Sequence, residues 1–421
     1  MRDILPEEAA RWREVERVIK RVIASYSYDE IRLPLLEPTD LFSRGVGEAT
    51  DIVEKEMYSL LDRDGESLSL RPEGTAGCAR ACIQQGLIFN QVQRLWYAGS
   101  MFRYERPQKG RYRQFEQIGA EIFGIKDPAA DAELIQLGTK LWRSLAIDSA
   151  VTLELNTIGS GEARKAYRDA LVEYLTPRRD DLDTDSQRRL QSNPMRILDS
   201  KNEDTQKLLE GAPDLQDFID DQARAHFAEL REILDELQLP YRINRRLVRG
   251  LDYYTNTVFE WVTDALGAQG TICAGGRYDG LVQRLGGRPT PAAGFAIGID
   301  RVVLLHEAQH LLHRGEAAEQ YSKCDVYVAV MDAALMAWAL RVADVLRDGV
   351  EGLAVLTHTS GGKLRNQLKR ADQSGARWAI IVGEDEVEHD RISVKWLREE
   401  KPQGSMTVEE FVTTAKGAMR V

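Results

Sequence analysis

The sequence predicts an α+β chain of two domains: a body built on an antiparallel hairpin and interrupted by helices, then a small α/β domain. Three observations predict it. Leu95–Tyr104 and Gln114–Glu121 are strand-like runs flanking a turn-prone loop, Arg106–Arg113. From about Gly161 to Leu239 the pattern is polar and helical, broken at Pro177, Pro194 and Pro213. From Asp325 onward, short apolar strands alternate with helices.

At 421 residues the chain is too long for one ordinary core. Apolar content of 43% and charged content of 29% are those of a globular protein. No uncharged run reaches the roughly 18 residues of a membrane span. The first residues lack the apolar core of a signal peptide. Cys78, Cys82, Cys273 and Cys324 are too scattered for a disulfide framework and read as reduced, buried thiols. A cytoplasmic protein is expected.

In chain order, Trp12, Val15, Val18, Ile19 and Val22 form one stripe of a helix over Glu8–Ser25. Tyr28–Glu37 reads as a strand edged by Pro34. Strand-like Ser67–Leu70 leads into Arg71-Pro72-Glu73-Gly74-Thr75, with Thr75 placed to cap a helix running to about Gln85. Glu73 there has a structural reason, the helix dipole, and a functional one, accepting from an ammonium group. In the hairpin, residues two or four apart share a face, so Phe115, Gln117 and Glu121 lie together, and Arg103 with them.

Ala129–Leu145 reads as an amphipathic helix and Val151–Leu155 as a strand. A helical insertion is expected over about 168–239, and Arg178–Pro240 holds 16 acids against 9 Lys and Arg, which fits few direct RNA contacts. Strand residues return at Tyr241–Asn244 and Arg249–Glu260, and the paired glycines of Ala274–Leu281 read as room for close backbone approach to a ligand. His306, His310 and His313 share one face of the helix before the linker Arg314–Lys323 and read as a solvated helix end. The body is expected over 1–318. The α/β domain, expected over 323–421 with a mostly parallel sheet, carries a basic helix at Lys363–Gln373.

Net charge is -11, yet Arg103–Arg113 carries five cations and one anion, and Tyr241–Arg249 four arginines and no acid. Phosphate attraction is local, so such patches can bind a polyanion on an acidic body. There is no G-x-x-x-x-G-K-[ST] loop and no nucleophile elbow. Arginines, carboxylates and tyrosines remain, a set suited to phosphate chemistry run by positioning and charge neutralisation.

Phe102–Glu121 resembles motif 2 of the class II aminoacyl-tRNA synthetases, and within them the histidyl-tRNA synthetases. Leu247–Tyr254 and Ala274–Leu281 resemble two motifs peculiar to that family, and Ala293–Val302 resembles motif 3. The resemblance implies a class II antiparallel catalytic sheet and a C-terminal anticodon-binding domain. It implies activation of L-histidine by ATP to histidyl-adenylate, then transfer to the 3′ end of histidine tRNA. Arg103 and Arg249 would meet the α-phosphate, and Arg111, Phe115 and Arg301 would help bind ATP. Glu73, Gly74, Thr75 and Gln117 would take the ammonium group; Glu121 and Tyr254 would read the imidazole, with Tyr253 and Tyr278 lining its pocket. Gln108 and Arg113 would face tRNA. Mg2+ is expected with ATP, with no dedicated protein metal site, and the partners would be tRNA and a second copy of the chain. The rivals are a non-catalytic, histidine-sensing regulatory paralogue and an RNA-binding scaffold.

Overall fold

The computed structural model describes residues 1–48, 50–200, 202–267, 270–314 and 322–419. Most of the expected linker Arg314–Lys323 lies outside the described residues, as do the side chains of His310 and His313. The chain divides into two compact units, Met1–His313 and Arg314–Val421.

The first unit is organised by an eight-stranded sheet. In spatial order its strands are Asp29–Glu30, Gln93–Phe102, Gln114–Phe123, Ala292–Gly298, Thr271–Arg277, Thr255–Val262, Thr152–Thr157 and Arg242–Ile243. All six central strands pair antiparallel, and only the short outer pairs run parallel. Against one face pack helices Pro6–Ser25, Ala129–Ser144 and Asp221–Glu236. The first buries Trp12, Val15, Val18, Ile19, Val22 and Ile23, a stripe spaced by three and four residues. Pro6 opens it, where a missing N–H costs nothing. The other face covers a second core, containing Phe42, Cys78, Tyr97, Phe123 and Tyr278. A three-stranded sheet of Leu36–Pro38, Ser67–Leu70 and Tyr58–Leu61 stands beside it.

The expected strand Tyr28–Glu37 is two short strands, because residues 31–35 leave the pleat ahead of and at Pro34. The helical stretch begins at Gly161, seven residues before Arg168, with Ser160 accepting from Ala163 N at 3.2 Å. Burial opposes it, but hydrogen bonds from Ser186, Thr205 and Ser200 hold Asp183 down to about 2. That carboxylate ties helix Thr184–Ser192 to helix Glu203–Leu209.

In the second unit the strand order is Val355–Thr357, Val326–Val330, Trp378–Val382, Ile392–Trp396 and Gly404–Met406. Only the first three run parallel, against the expectation of a mostly parallel sheet. The connections after Val382 and Trp396 are shorter than the dozen or so residues of a parallel crossover, so the chain turns straight back. Val326, Val328, Trp378, Ile380 and Phe411 fill this unit's core. All four cysteines are free and buried. Among the described residues no helix is long and apolar enough to cross a membrane.

Candidate active site

The hairpin sets the site's geometry. Register places Phe115 opposite Met101, Gln117 opposite Gly99, Gly119 opposite Tyr97 and Glu121 opposite Leu95. Arg103 N donates to Arg113 O at 2.9 Å and continues the pairing, so Arg103 falls on the face of Phe115, Gln117 and Glu121. Its guanidinium lies 5.2 Å from the Phe115 ring centre, and its Nε donates to the Pro72 carbonyl at 2.8 Å. In the loop, Gln108 and Arg111 exchange backbone hydrogen bonds at 3.0 and 2.9 Å. Arg111 ion-pairs with Glu105, while Arg113 lies 3.8 Å over the Tyr104 ring.

A cavity of about 160 Å3 opens over this face. Arg103, Arg111 and Phe115 come to it from the hairpin, and Arg301 from the first turn of helix Ile299–Arg314. Arg249, Tyr253 and Tyr254 come from residues 249–254, and Glu73, Thr75 and Gln117 complete that end. The expected strand Arg249–Glu260 starts only at Thr255; the arginine and both tyrosines lie in the turn before it. That turn is held by Asp252 N donating to Val46 O at 2.9 Å.

The cations crowd one another. Burial, then the charges of Arg111 and Arg103, push Arg301 down to about 10. Burial also lowers Arg103 and Arg111. All remain charged at neutral pH, and the mutual repulsion is relieved by an anion between them. Carbonyls aim Arg301: its Nε donates to Gly110 O at 2.9 Å and its Nη1 to Thr271 O at 2.6 Å.

At the other end the carboxylates are buried. Glu73 accepts from Thr75 N at 2.7 Å and Ala76 N at 2.9 Å, so it caps helix Thr75–Gln84. The expected cap, Thr75, instead donates its hydroxyl to Glu121 at 2.8 Å. A carboxylate two residues upstream reaches two bare N–H groups and suits the dipole, whereas the Thr75 side chain already starts inside the helix. Glu121 also accepts from Tyr97 at 3.1 Å and from Tyr278. Burial pushes Glu121 up to about 8 despite these donors. Glu121 and Tyr278 are fully buried and stand behind the cavity lining, with Tyr253 stacked edge-on to Tyr278 at 5.5 Å. Gly74 also lies behind it; a Cβ there or at Gly119 would strike the Tyr97 ring. Gln108 and Arg113 sit on the loop outside the lining.

The profile of the histidyl-tRNA synthetase family matches residues 1–302, and that of an anticodon binding domain matches 325–417. The chain belongs to the histidyl-tRNA synthetase family. Joining histidine to its tRNA with ATP is that family's activity and the activity of this chain. The chain is similar to the apo crystal structure of S. aureus histidyl-tRNA synthetase, at 32% identity and a TM-score of 0.79, covering 99% of this chain and 98% of that one. The histidyl-tRNA synthetase of Nostoc sp. PCC 7120 shares the fold at 21% identity and a TM-score of 0.70, over 100% and 98% of the two chains. So does an ATP phosphoribosyltransferase regulatory subunit/histidyl-tRNA synthetase from Bacillus halodurans C, at 24% and 0.62, over 88% and 94%.

One reading of the synthetase's residues changes with the structure. The glycine pair in Ala274–Leu281 faces protein: a Cβ on Gly275 would meet the Gly294 carbonyl and the Phe259 ring, and one on Gly276 the Thr257 carbonyl. The room serves strand packing. Arg277, in the same tract, is fully buried, and its Nη2 bonds Asp131 at 2.6 Å. Sequence reasoning missed Tyr97, Glu105 and Thr271, and also Glu260, which ion-pairs with Arg249. Glu105 was the findable one, as the sole acid among five cations.

Proposed function

We propose that this cavity is where ATP and L-histidine react to give histidyl-adenylate and pyrophosphate. The observation that supports the reading is the meeting of four arginines, from three separate segments, beside a buried carboxylate and a tyrosine cluster. The histidine carboxylate attacks the α-phosphate, and pyrophosphate leaves. Arg103 and Arg249 neutralise charge building on the phosphoryl oxygens, which is where fixed donors lower a barrier most. Arg111 meets the outer phosphates. Adenine lies between Phe115 and Arg301.

Glu73, Thr75 and Gln117 hold the ammonium group, with Gly74 making room for Tyr97. Gln117 Oε1 is buried without a hydrogen-bond partner, which suits an acceptor awaiting a donor. A carboxylate has roughly four lone-pair sites. Thr75, Tyr97 and Tyr278 occupy three on an ionised Glu121, leaving one for an imidazole N–H whose donation favours that ionised form. Tyr254 addresses the other ring nitrogen, and Tyr253 walls the pocket with Tyr278 packed behind it. A site that hydrogen-bonds a polar ring rejects analogues without it far better than an apolar slot does.

Among the described residues no cluster of three or more His, Cys, Asp or Glu could hold a metal. The donor set fits Mg2+ carried in on the triphosphate, with Glu105 the lining carboxylate nearest the cations. Bound there, the ion would draw charge from the phosphates. Gln108 and Arg113, exposed or half-buried on the hairpin loop, meet the tRNA 3′ end. Exposed Leu36, Leu60 and Leu61 in the three-stranded sheet, with Leu35 at its edge, support a homodimer, and the four reduced thiols support a cytoplasmic setting.

Histidine-dependent exchange of pyrophosphate into ATP tests the reading. Exchange is expected, and Arg249→Ala should cripple it, leaving only a small residual rate, in a folded protein. A folded wild-type chain without exchange would return the reading to the regulatory paralogue or the RNA scaffold.

A further inference from the structure

Arg249 sits in a turn, and no ladder of backbone bonds fixes its side chain. Something else must aim it. Its Nη1 is held by Glu260 Oε1, in strand Thr255–Val262. The two side chains are only 18% and 13% exposed. Glu260 Oε2 accepts from the Thr271 hydroxyl at 2.9 Å, so the carboxylate is itself clamped at both oxygens. Thr271 lines the cavity, and its carbonyl takes Arg301 Nη1 at 2.6 Å. A continuous run of polar contacts thus joins Arg249, Glu260, Thr271 and Arg301.

Two further facts give that run a direction. Arg249 Nε is buried and without a hydrogen-bond partner. With Nη1 taken, the Nε–Nη2 edge of the guanidinium is the edge left for bidentate contact with an oxyanion. Glu260 also stands directly opposite Glu154 on the neighbouring strand. Opposed like charges repel, but Glu154 has its own partners in Arg242 and Asn244. Each carboxylate therefore stays on its own arginine.

We infer that Glu260, clamped by Thr271, is a positioning residue that presents the Nε–Nη2 edge of Arg249 to the α-phosphate. This rests on the adenylation reading above. It makes the aim of Arg249 depend, through Glu260, on the same Thr271 whose carbonyl holds Arg301, so the two cations keep a fixed relation while substrate binds.

The test is single-turnover adenylate formation and pyrophosphate exchange, with thermal midpoints measured alongside. Glu260→Gln should slow the chemical step by about tenfold to a hundredfold, as mis-aimed groups do, with KM for histidine and ATP changed less than about threefold. Thr271→Val, which removes the clamping hydroxyl, should slow it by roughly threefold to tenfold; Thr271→Ser should restore it. Arg249→Ala/Glu260→Gln should be no slower than Arg249→Ala alone, because Glu260 acts through Arg249. Losses that multiply, or a Glu260→Gln enzyme of wild-type rate, overturn the inference while leaving the adenylation reading intact. An inactive wild type removes both. Should Glu260→Gln fail to fold, the Thr271 pair carries the test alone, and equal rates for Val and Ser refute the clamp.

Discussion

Glu121→Gln should change how the ligand-free protein's stability depends on pH. Burial raises the Glu121 carboxyl from 4.5 to about 8 in the folded state. Below about 4.5 both folded and unfolded chains hold the proton, and the group is neutral in the balance. Between 4.5 and 8 the unfolded chain releases it while the folded chain keeps it, so unfolding gains about 1.4 kcal/mol per pH unit. Above 8 both are ionised and the cost is constant. Over some three and a half units that reaches about 5 kcal/mol, an upper figure, since the pocket can relax. Glutamine has nearly the same shape and does not titrate. The difference in urea unfolding free energy, variant minus wild type, should therefore climb from pH 5 to pH 8 and then level off. Taking the difference removes the other buried acids, which titrate in both proteins. Saturating histidine should flatten the climb, because a donated imidazole N–H favours the charged carboxylate. A difference that stays flat from pH 5 to pH 9 would mean that Glu121 is not held protonated by its burial.

Three more expectations follow from named contacts. Arg277→Ala should lower unfolding free energy by about 3–5 kcal/mol, because it leaves fully buried Asp131 with only His226 beside it; a loss below about 1 kcal/mol in urea titration would refute the pair's importance. Gly294→Ala should cut histidine-dependent exchange at least about tenfold, since the new Cβ would overlap Glu121 Oε2 and drive that carboxylate from its three donors. An unchanged KM for histidine would argue against it. Arg365→Glu/Lys369→Glu, on the exposed face of helix Leu364–Gln373, should raise KM for tRNA by about tenfold or more and leave pyrophosphate exchange within twofold; equal losses in both would deny the second unit its separate task.

Where a period governs the backbone, the sequence told where side chains go. Arg103 could be placed with Phe115, Gln117 and Glu121 because a pleat repeats every two residues, and Trp12 to Val22 could be placed inward because a helix repeats every 3.6. Arg249 escaped that logic: it lies in a turn, and its aim depends on Glu260 and Thr271, eleven and twenty-two residues away. Glu73 was legible as a dipole partner but not as the actual cap, which depends on where the helix starts. Tyr97 was invisible as a site residue because its role needs small residues on two other segments, Gly74 and Gly119, to make its slot.

The net charge of -11 poses the harder question of how such a chain keeps an electropositive cavity. Its answer lies in the choice of acceptors. Arg103 is aimed by the Pro72 carbonyl, and Arg301 by the carbonyls of Gly110 and Thr271. A carbonyl orients an N–H less strongly than a carboxylate does, yet carries no net charge to cancel the guanidinium. Carboxylates are used at the edges, Glu105 on Arg111 and Glu260 on Arg249, each engaging part of a fork with five donors. Replacing a carbonyl partner by an acid is the perturbation that this arrangement forbids. Gly110 shows why the backbone must do it: at φ +74 the residue turns the loop so that its oxygen meets Arg301 Nε, a backbone conformation that an ordinary side chain resists. Gly110→Ala should therefore weaken ATP binding through Arg301 while leaving histidine binding alone, and equal effects on both would show that the loop carbonyl does not aim that arginine.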